Sequence, residues 1–277
     1  MCGSPEATRL HAVESRGERF ALARCDSCSL HFTDPKPSEE FLAGYYSGDY
    51  HRDLRREGGT ERAFGAKYQR YADWVARHMP DGRFLDIGCS TGLLVRMMAD
   101  RGFQAEGVEL NLESAAWGRA HYGVTIHNRP VEECGLAPAS FDVIALTDVL
   151  EHTPHPRDFL RAVGSLLVPG GLALVTFPDI SSLESRYLQL LARLTRRPWV
   201  WATCYIPAHI WEFTRTTAIA CFEGADFTLV AFRRSQQEDE ERARVLRLLT
   251  LPFRPMAWPP LASRLGSQME FLIRKDG

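Results

Sequence analysis

The sequence has no apolar segment long enough to cross a membrane and no marked excess of charge of either sign. No run of about eighteen apolar residues occurs, so a transmembrane helix is not predicted. The residues from Met1 to Arg9 lack the basic, apolar and small-residue order of a secretory signal. The formal net charge of -2 gives no general attraction to nucleic acid. We therefore expect a soluble, cytoplasmic protein that does not bind nucleic acid.

Cysteine is too sparse to form a disulfide framework. The seven cysteines are an odd number, and only Cys25 and Cys28 form a Cys-x-x-Cys pair. Such scattered thiols are typical of a reducing compartment, which agrees with a cytoplasmic location. Besides Cys2, the cysteines that stand alone are Cys89, Cys134, Cys204 and Cys221.

Repeats and low-complexity tracts are also absent, and 45% hydrophobic residues can fill a sizeable core. From residue 83 onward, strand and helix patterns alternate, which indicates βαβ crossovers and a parallel sheet. The last two strand patterns form a late pair, which favours an antiparallel edge. We expect an α/β fold with a Rossmann-like, doubly wound, mostly parallel seven-stranded sheet and an antiparallel last strand. The predicted strands are 83–87, 104–110, 124–128, 141–147, 172–177, 227–233 and 269–274, and the helices are 93–101, 112–121, 156–167 and 214–223.

Breaker residues divide the chain into three parts. Residues 1–35 show little helical pattern and are predicted to form a small N-terminal module that resembles a zinc ribbon. Residues 36–82 are predicted to be a helical cap, in which Ser38 caps a first helix. Residues 83–277 form the main domain, with an insertion at about 180–212 that can serve as a lid.

Residues 84–93 combine a strand, a glycine-bearing turn and a helix start. Gly88 suits a tight turn, and Gly92 lets the helix begin close to the sheet so that a ligand can approach the backbone. Glu109 ends the next strand about twenty residues on, where an acid accepts hydrogen bonds from ribose hydroxyls. Loop, acid and crossover together predict a nucleotide-like cofactor site.

Two other classes of protein, nicotinamide-binding enzymes and α/β-hydrolases, have a similar loop at this position. A nicotinamide site requires a second glycine where Ser90 stands, and it requires a third that the sequence does not supply. Residues 88–92 also read Gly-x-Ser-x-Gly, so an α/β-hydrolase would use Ser90 as nucleophile with His209 downstream. The hydrolase interpretation lacks an upstream oxyanion loop and leaves Asp86 and Glu109 without a role. We keep it as a remote alternative.

Beyond this loop, an ordered series of short motifs runs from about Arg83 to Leu229. They read Leu-Asp-Ile-Gly-Cys-Ser-Thr-Gly at 85–92, Gly-Val-Glu at 107–109, Phe-Asp-Val-Ile at 141–144, Asp-Val-Leu-Glu-His at 148–152, Leu-Val-Pro-Gly-Gly at 167–171 and His-Ile-Trp-Glu-Phe-Thr at 209–214. In this order they resemble the class I S-adenosylmethionine-dependent methyltransferases, particularly the ubiquinone-biosynthesis-like and the sugar or natural-product branches.

The resemblance implies S-adenosyl-L-methionine as cofactor and assigns residues to it. Asp86, Gly88 and Gly92 would hold its methionine end, Glu109 its ribose, and residues near Val131 its adenine. The sequence departs from the family where Ser90 replaces a glycine and where Arg129-Pro130 replaces an acid beside adenine. The predicted cofactor contacts are completed by Cys89, Leu110, Thr147 and Asp148.

Methyl transfer to oxygen requires a base, and His152 and His209 are the candidates. His152 follows the fourth strand on the ligand-binding side of the sheet, so we rank it first. Asp148, Glu151 and His152 stand at i, i+3 and i+4, which would place them on one helical face. One alternative is that Glu151 and His152 cap the loop or pack under the cofactor without chemistry. Another is a divalent ion held by Asp148, Glu151 and His152, as in some quinone O-methyltransferases with a similar motif, although two carboxylates and one imidazole are a thin ligand set for magnesium.

Two aromatic or basic stretches are candidates for the walls of the site. Tyr45, Tyr46 and Tyr50 can cover a ligand or simply pack on the core. Residues 185–201 combine arginines with leucines and tryptophans, as in a substrate lid or a peripheral membrane contact. A plain solvated helix is the alternative there.

The N-terminal cysteines suggest a zinc site. Cys25 and Cys28 form one knuckle, and Cys2 followed by Gly3 resembles the end of a second one. Zinc prefers four ligands, so the sequence continues upstream of Met1, His11 or His31 completes the set, or the site has decayed.

These patterns together predict an O-methyltransferase for a small hydroxylated acceptor such as a sugar, polyketide, phenol or quinone precursor. The alternatives are a nucleic-acid methyltransferase and a non-catalytic protein that binds S-adenosylmethionine. The oligomeric state stays open.

Overall fold

A computed structural model describes residues 2–46, 52–56, 58–195, 206–236, 261 and 264–276. The strands are β1 (Ala7–Ser15), β2 (Glu18–Cys25), β3 (His31–Asp34), β4 (Arg83–Ile87), β5 (Gln104–Val108), β6 (Thr125–His127), β7 (Phe141–Thr147), β8 (Leu167–Pro178), β9 (Trp211–Glu212), β10 (Phe227–Ser235) and β11 (Gln268–Lys275). The helices are α1 (Glu39–Tyr46), α2 (Gly59–His78), α3 (Leu93–Ala99), α4 (Leu112–Tyr122), α5 (Pro156–Leu166), α6 (Leu183–Thr195) and α7 (Arg215–Glu223).

The larger sheet has the predicted doubly wound arrangement. Its strand order is β10-β11-β8-β7-β4-β5-β6. Strands β4, β5, β6, β7 and β8 pair in parallel, whereas β11 is antiparallel to both β8 and β10. The last strand is therefore inserted beside β8 and leaves β10 at the edge, which confirms the predicted fold class.

Strand β7 shows why this sheet is buried on both faces. Ile144 and Leu146 lie in one apolar cluster, whereas Val143 and Ala145 lie in a second cluster on the opposite face. A strand covered on both sides reads as a continuous apolar run, which is why its bounds were predictable. The first cluster also takes side chains from α5 and α7, and the second takes them from α2 and α3.

The N-terminal residues form a second, smaller sheet whose fourth strand comes from the main domain. Its order is β1-β2-β3-β9, with antiparallel pairing throughout. The sheet is followed by α1, where the Ser38 hydroxyl accepts a hydrogen bond from the Phe41 N–H at 3.1 Å. This contact confirms the predicted helix cap. Strand β9 ties the N-terminal module to the segment that carries His209.

Helix α6 is amphipathic, as predicted, and exposes leucines. Leu183, Leu190 and Leu194 are exposed at positions i, i+7 and i+11, which share one helical face, while Leu188 is buried. A lid or membrane contact through this face stays a prediction. The rest of the predicted stretch to Trp201, together with Tyr50, lies outside the described residues, and so do the side chains of Tyr45 and Tyr46. No helix in the described ranges is long and apolar enough to cross a membrane.

Candidate active site

The loop after β4 is built on left-handed backbone conformations. Gly88 has φ +77° and Gly92 has φ +81°. A Cβ atom on Gly88 would lie 2.6 Å from Val149 Cγ2, and one on Gly92 would lie 2.9 Å from Ile126 Cδ1. Both glycines are therefore required by conformation and by space. Between them, Ser90 adopts φ +50°, the region that a glycine would occupy without strain.

Glu109 is held by backbone donors on both carboxylate oxygens. The Ser90 N–H donates to Oε2 at 2.8 Å, and the Asn111 N–H donates to Oε1 at 2.7 Å. Burial raises the pKa of Glu109, although these backbone hydrogen bonds oppose the shift. The acid at the end of β5 is thus fixed in orientation beside the loop.

Asp86 is a buried carboxylate without a complete set of partners. Its exposed fraction is 2%, and Oδ1 has no hydrogen-bond partner among the described residues. Burial, and then the nearby Glu109 carboxylate, raise its pKa well above the usual value. A buried acceptor without a hydrogen bond costs folding free energy. The ammonium group of a ligand would supply the missing donor. The orphaned oxygen and the glycine loop therefore fit the amino-acid end of S-adenosylmethionine.

The other predicted cofactor contacts differ in exposure. The Cys89 side chain lies in the apolar cluster of α3 and α4, and its N–H donates to the Val108 carbonyl. Val131 and Thr147 are buried, whereas Leu110 is 67% exposed at the end of β5. Their contacts with the cofactor stay predictions.

Asp148 faces α2 and β11 instead of Glu151 and His152. Its Oδ2 accepts from Lys67 Nζ at 2.6 Å, and its Oδ1 accepts from Gln268 Nε2 at 2.5 Å. Burial opposes the ionisation of Asp148, but the charge of Lys67 and the hydrogen bonds from Lys67 and Gln268, with a contribution from His209, together hold its pKa below the usual value.

The expectation of one helical face for Asp148, Glu151 and His152 is wrong. Asp148 has a left-handed backbone with φ +57°, and a short 3-10 helix begins only at Leu150. A helix cannot run continuously through such a residue.

The two predicted histidines lie side by side. Their ring centroids are 4.7 Å apart at an interplanar angle of 80°. His152 Nδ1 lies 2.9 Å from the Ala208 carbonyl oxygen, and His209 Nδ1 lies 3.0 Å from Glu212 Oε1. Burial lowers the pKa of His152 to about 3, and His209 adds to that shift. His152 is therefore a neutral imidazole at physiological pH.

Glu151 lies next to the two histidines. It is 1% exposed, and neither carboxylate oxygen has a hydrogen-bond partner among the described residues. One polar atom each from Glu151, His152 and His209 lie within 4.8 Å of one another. Burial, and then Asp148, raise the pKa of Glu151 well above its usual value. The uncharged acid is consequently the favoured form beside the histidines.

Sequence reasoning did not identify Lys67, Glu212 or Gln268 as site residues. Lys67 interrupts the apolar face of α2, because Phe64 and Tyr71 lie three residues before it and four after it. That interruption was a usable signal, since a buried lysine requires a partner. The three-residue spacing of His209 and Glu212 was a weaker signal. Gln268 lies 120 residues from Asp148 and carries no local signal.

The three N-terminal cysteines converge as predicted. Cys2 Sγ lies 3.4 Å from Cys25 Sγ, and the sulfur of Cys28 joins them within 4.8 Å. A hydrogen bond from the backbone of Ser4 and those from the neighbouring thiols lower the pKa of Cys2 to about 7, whereas burial raises that of Cys28 to about 11. In the described part of the chain, neither His11 nor His31 belongs to this group of atoms.

The fold and the loop define a cofactor-binding α/β domain, and comparison with known proteins gives its family. A profile of the methyltransferase domain matches residues 55–231, more than half of the chain. The chain therefore belongs to the class I S-adenosylmethionine-dependent methyltransferases.

Individual relatives cover less of the sequence. The chain is 43% identical over 99 residues to a ubiquinone biosynthesis O-methyltransferase of Caulobacter sp. (strain K31), which is 34% of this chain and 39% of that protein. It is 34% identical over 115 residues to the protein of the same name from Aeromonas salmonicida (strain A449), which is 39% of this chain and 48% of that protein. The chain thus spans less than half the length of these curated relatives.

One solved structure has a similar fold. The 1,6-didemethyltoxoflavin-N1-methyltransferase of Burkholderia thailandensis, with bound 1,6-didemethyltoxoflavin and S-adenosylhomocysteine, has a TM-score of 0.52 at 17% identity. The alignment covers 98% of this chain and 100% of that one. At this identity the similarity concerns the fold alone.

Asp86→Asn should stabilise the cofactor-free chain and impair ligand binding. Because the folded-state pKa of Asp86 is raised above the unfolded value of about 3.9, the free energy of unfolding falls as pH rises through that interval. The variant removes this loss. We expect its free energy of unfolding to exceed that of the wild type by about 1–3 kcal/mol at about pH 8, which appears as a higher Tm, and not to exceed it at about pH 4.

Thermal denaturation at both pH values and calorimetry with S-adenosylhomocysteine check this. Affinity should fall at least about tenfold, the effect of losing a charge-assisted hydrogen bond. Asp158→Asn, at an exposed acid on α5, is the matched control. Equal stability of wild type and Asp86→Asn at both pH values would contradict the account.

Proposed function

We propose that this chain transfers a methyl group from S-adenosylmethionine to a hydroxyl oxygen of a small molecule. The observation that carries the proposal is an orphaned, buried Asp86 before the left-handed glycine loop, together with Glu109 at the end of β5, which the loop backbone holds through the Ser90 N–H. The names of the curated relatives, which are O-methyltransferases of ubiquinone biosynthesis, support oxygen as the methylated atom.

The residues of the loop have separate tasks in binding. When bound, the cofactor supplies an electrophilic methyl group on a positively charged sulfur. Asp86 accepts hydrogen bonds from the ammonium group of its methionine part, which relieves the cost of burying a carboxylate. Glu109, already oriented by Ser90 and Asn111, accepts hydrogen bonds from the ribose hydroxyls. The chain thereby holds the donor in one orientation, which is the main requirement of an in-line displacement.

His152 is the candidate base for the acceptor hydroxyl. A carbonyl oxygen only accepts hydrogen bonds, so His152 Nδ1 donates to Ala208 and the lone pair is on Nε2. The lowered pKa of His152 keeps the ring neutral at physiological pH, which is the form that can take up a proton. The position after β7, at the carboxyl edge of the sheet, is where ligands of doubly wound folds bind. His152 is therefore ranked above His209.

Methyl transfer and this ranking are tested together. Radiolabelled S-adenosylmethionine is offered with phenols, sugars and hydroxylated polyketides, and labelled product is counted. With the best acceptor, His152→Ala should lower kcat by about 10²–10⁴-fold, the usual contribution of a general base. His209→Ala should lower it less, and both variants should keep the wild-type affinity for S-adenosylhomocysteine.

Normal turnover in His152→Ala together with lost turnover in His209→Ala would reverse the ranking. Label transferred to amines and to none of the hydroxylated acceptors would overturn the choice of oxygen. Ser90→Ala tests the hydrolase alternative, because that chemistry requires the Ser90 hydroxyl. Retained methyl transfer in this variant would exclude the alternative.

We further propose that Cys2, Cys25 and Cys28 bind zinc. Their sulfurs approach one another as thiolate ligands of one ion do, and a further ligand would complete the tetrahedron that zinc prefers. The Cys2 thiol, with its pKa of about 7, ionises most readily, whereas Cys28 needs the metal to displace its proton.

Zinc stoichiometry measured by atomic emission on the purified chain tests this site. The wild type should retain zinc, and Cys25→Ser should lose it. Because the metal competes with protons for sulfur, retention should rise between about pH 6 and pH 8. Cys134→Ser is the control, since that cysteine lies outside the group. A wild type without zinc, or equal loss in the control, would rule the site out.

A further inference from the structure

The segment from residue 206 to residue 212 is fixed by hydrogen bonds from two directions. From the N-terminal sheet, the Thr33 hydroxyl donates to the His209 carbonyl at 2.6 Å, and the Thr33 N–H donates to the Ile210 carbonyl at 2.9 Å. From the large sheet, the Ile210 N–H donates to the Glu151 carbonyl at 2.9 Å. The backbone of His209 is thus held directly against the residues that follow β7.

Glu212 contacts the His209 ring. Both side chains are buried, with exposed fractions of 5% for the His209 residue and 2% for Glu212. Glu212 Oε1 lies 3.0 Å from His209 Nδ1, within hydrogen-bond distance. Strand β9 sets this contact, because its pairing with β3 places Glu212 opposite His31. The backbone pairing of β9 with β3 thus fixes the position of Glu212.

We propose that Glu212 is a positioning residue that holds His209 as the Nδ1–H tautomer, so that His152 and His209 act together as a paired proton acceptor. This inference rests on the proposed O-methylation. His152 is already the Nδ1–H tautomer because its partner is a carbonyl oxygen. With Glu212 as acceptor, His209 has the same tautomer, and both rings have the lone pair on Nε2.

The proton balance of the step follows from this pairing. The acceptor O–H bond breaks as the new O–CH₃ bond forms and the S–CH₃ bond breaks, and the proton goes to Nε2 of His152. The adjacent His209 ring, with its centroid 4.7 Å from that of His152, shares this proton, and the Glu212 oxygen that accepts from His209 Nδ1 stabilises the charge that develops there. Because burial disfavours a charged His152, the pair of His152 and His209 accepts the proton more readily than His152 alone.

The tautomer can be measured without any acceptor. The full chain is labelled with ¹⁵N-histidine and saturated with S-adenosylhomocysteine, and long-range ¹⁵N–¹H correlations are recorded, with His209→Gln for assignment. Wild type should show His209 protonated on Nδ1 alone. Glu212→Gln should keep this pattern because its amide oxygen still accepts, whereas Glu212→Ala should show a mixture of tautomers.

Controls separate positioning from folding. Glu223→Ala removes an acid at the end of α7, outside the cluster, and should leave the spectrum unchanged. Glu212→Leu, which keeps the volume but lacks an acceptor, replaces Glu212→Ala if that variant does not fold. Affinity for S-adenosylhomocysteine should stay within about twofold in every folded variant. His209 protonated on Nε2 in the wild type, or an unchanged tautomer in both apolar variants, overturns the proposal.

Turnover gives the second readout. With an acceptor from the labelled screen, Glu212→Ala should lower kcat about tenfold or more without changing KM for S-adenosylmethionine, and Glu212→Gln should restore part of it. Equal kcat in wild type and Glu212→Ala overturns the proton-acceptor role. If wild type shows the Nδ1–H tautomer but transfers no methyl group, O-methylation fails while the positioning by Glu212 stands.

Discussion

The left-handed backbone between β4 and α3 is the constraint on which the candidate site depends. Gly88, Ser90 and Gly92 all have positive φ, and this path brings the Ser90 N–H to Glu109 while Asp86 stays buried at the end of β4. A Cβ at either glycine would collide with a neighbouring side chain. The loop thus lies beside two neighbouring carboxylates, those of Asp86 and Glu109. That arrangement suits a ligand with one ammonium group and neighbouring hydroxyls.

The opposite side of the site depends on a contact between the two sheets. Thr33 of β3 and the backbone after β7 hold the His209 segment between them, and β9 supplies Glu212. Lys67 of α2 secures Asp148 in the same region, while Gln268 of β11 secures it from the large sheet. Residues from the N-terminal sheet, the lead-in helix and the last strand therefore converge on one edge. This convergence makes the N-terminal sheet a structural part of the candidate site.

The large sheet was predictable mainly because its central strands β7 and β8 are largely apolar runs that are buried on both faces. The bounds of β4 and β7 agree with the predicted strands 83–87 and 141–147. The glycine loop and Glu109 were also predictable, because their spacing follows from the geometry of one strand-turn-helix-strand unit. The partners of Asp148 and His209 were not, since Gln268 is 120 residues from Asp148 and Thr33 is 176 residues from His209. Side chains that meet only through tertiary packing leave no periodic signal in the sequence.

Calorimetric titration of the wild-type chain with S-adenosylhomocysteine and with NAD, repeated on Glu109→Ala, tests the central claim most directly. The account predicts binding of S-adenosylhomocysteine in preference to NAD. It also predicts a loss of about 1–3 kcal/mol in Glu109→Ala, the range for hydrogen bonds to a charged group. Glu133→Ala, at an exposed acid in the following 3-10 turn, should bind as the wild type does. Preferential binding of NAD, or unchanged affinity in Glu109→Ala, would contradict the account.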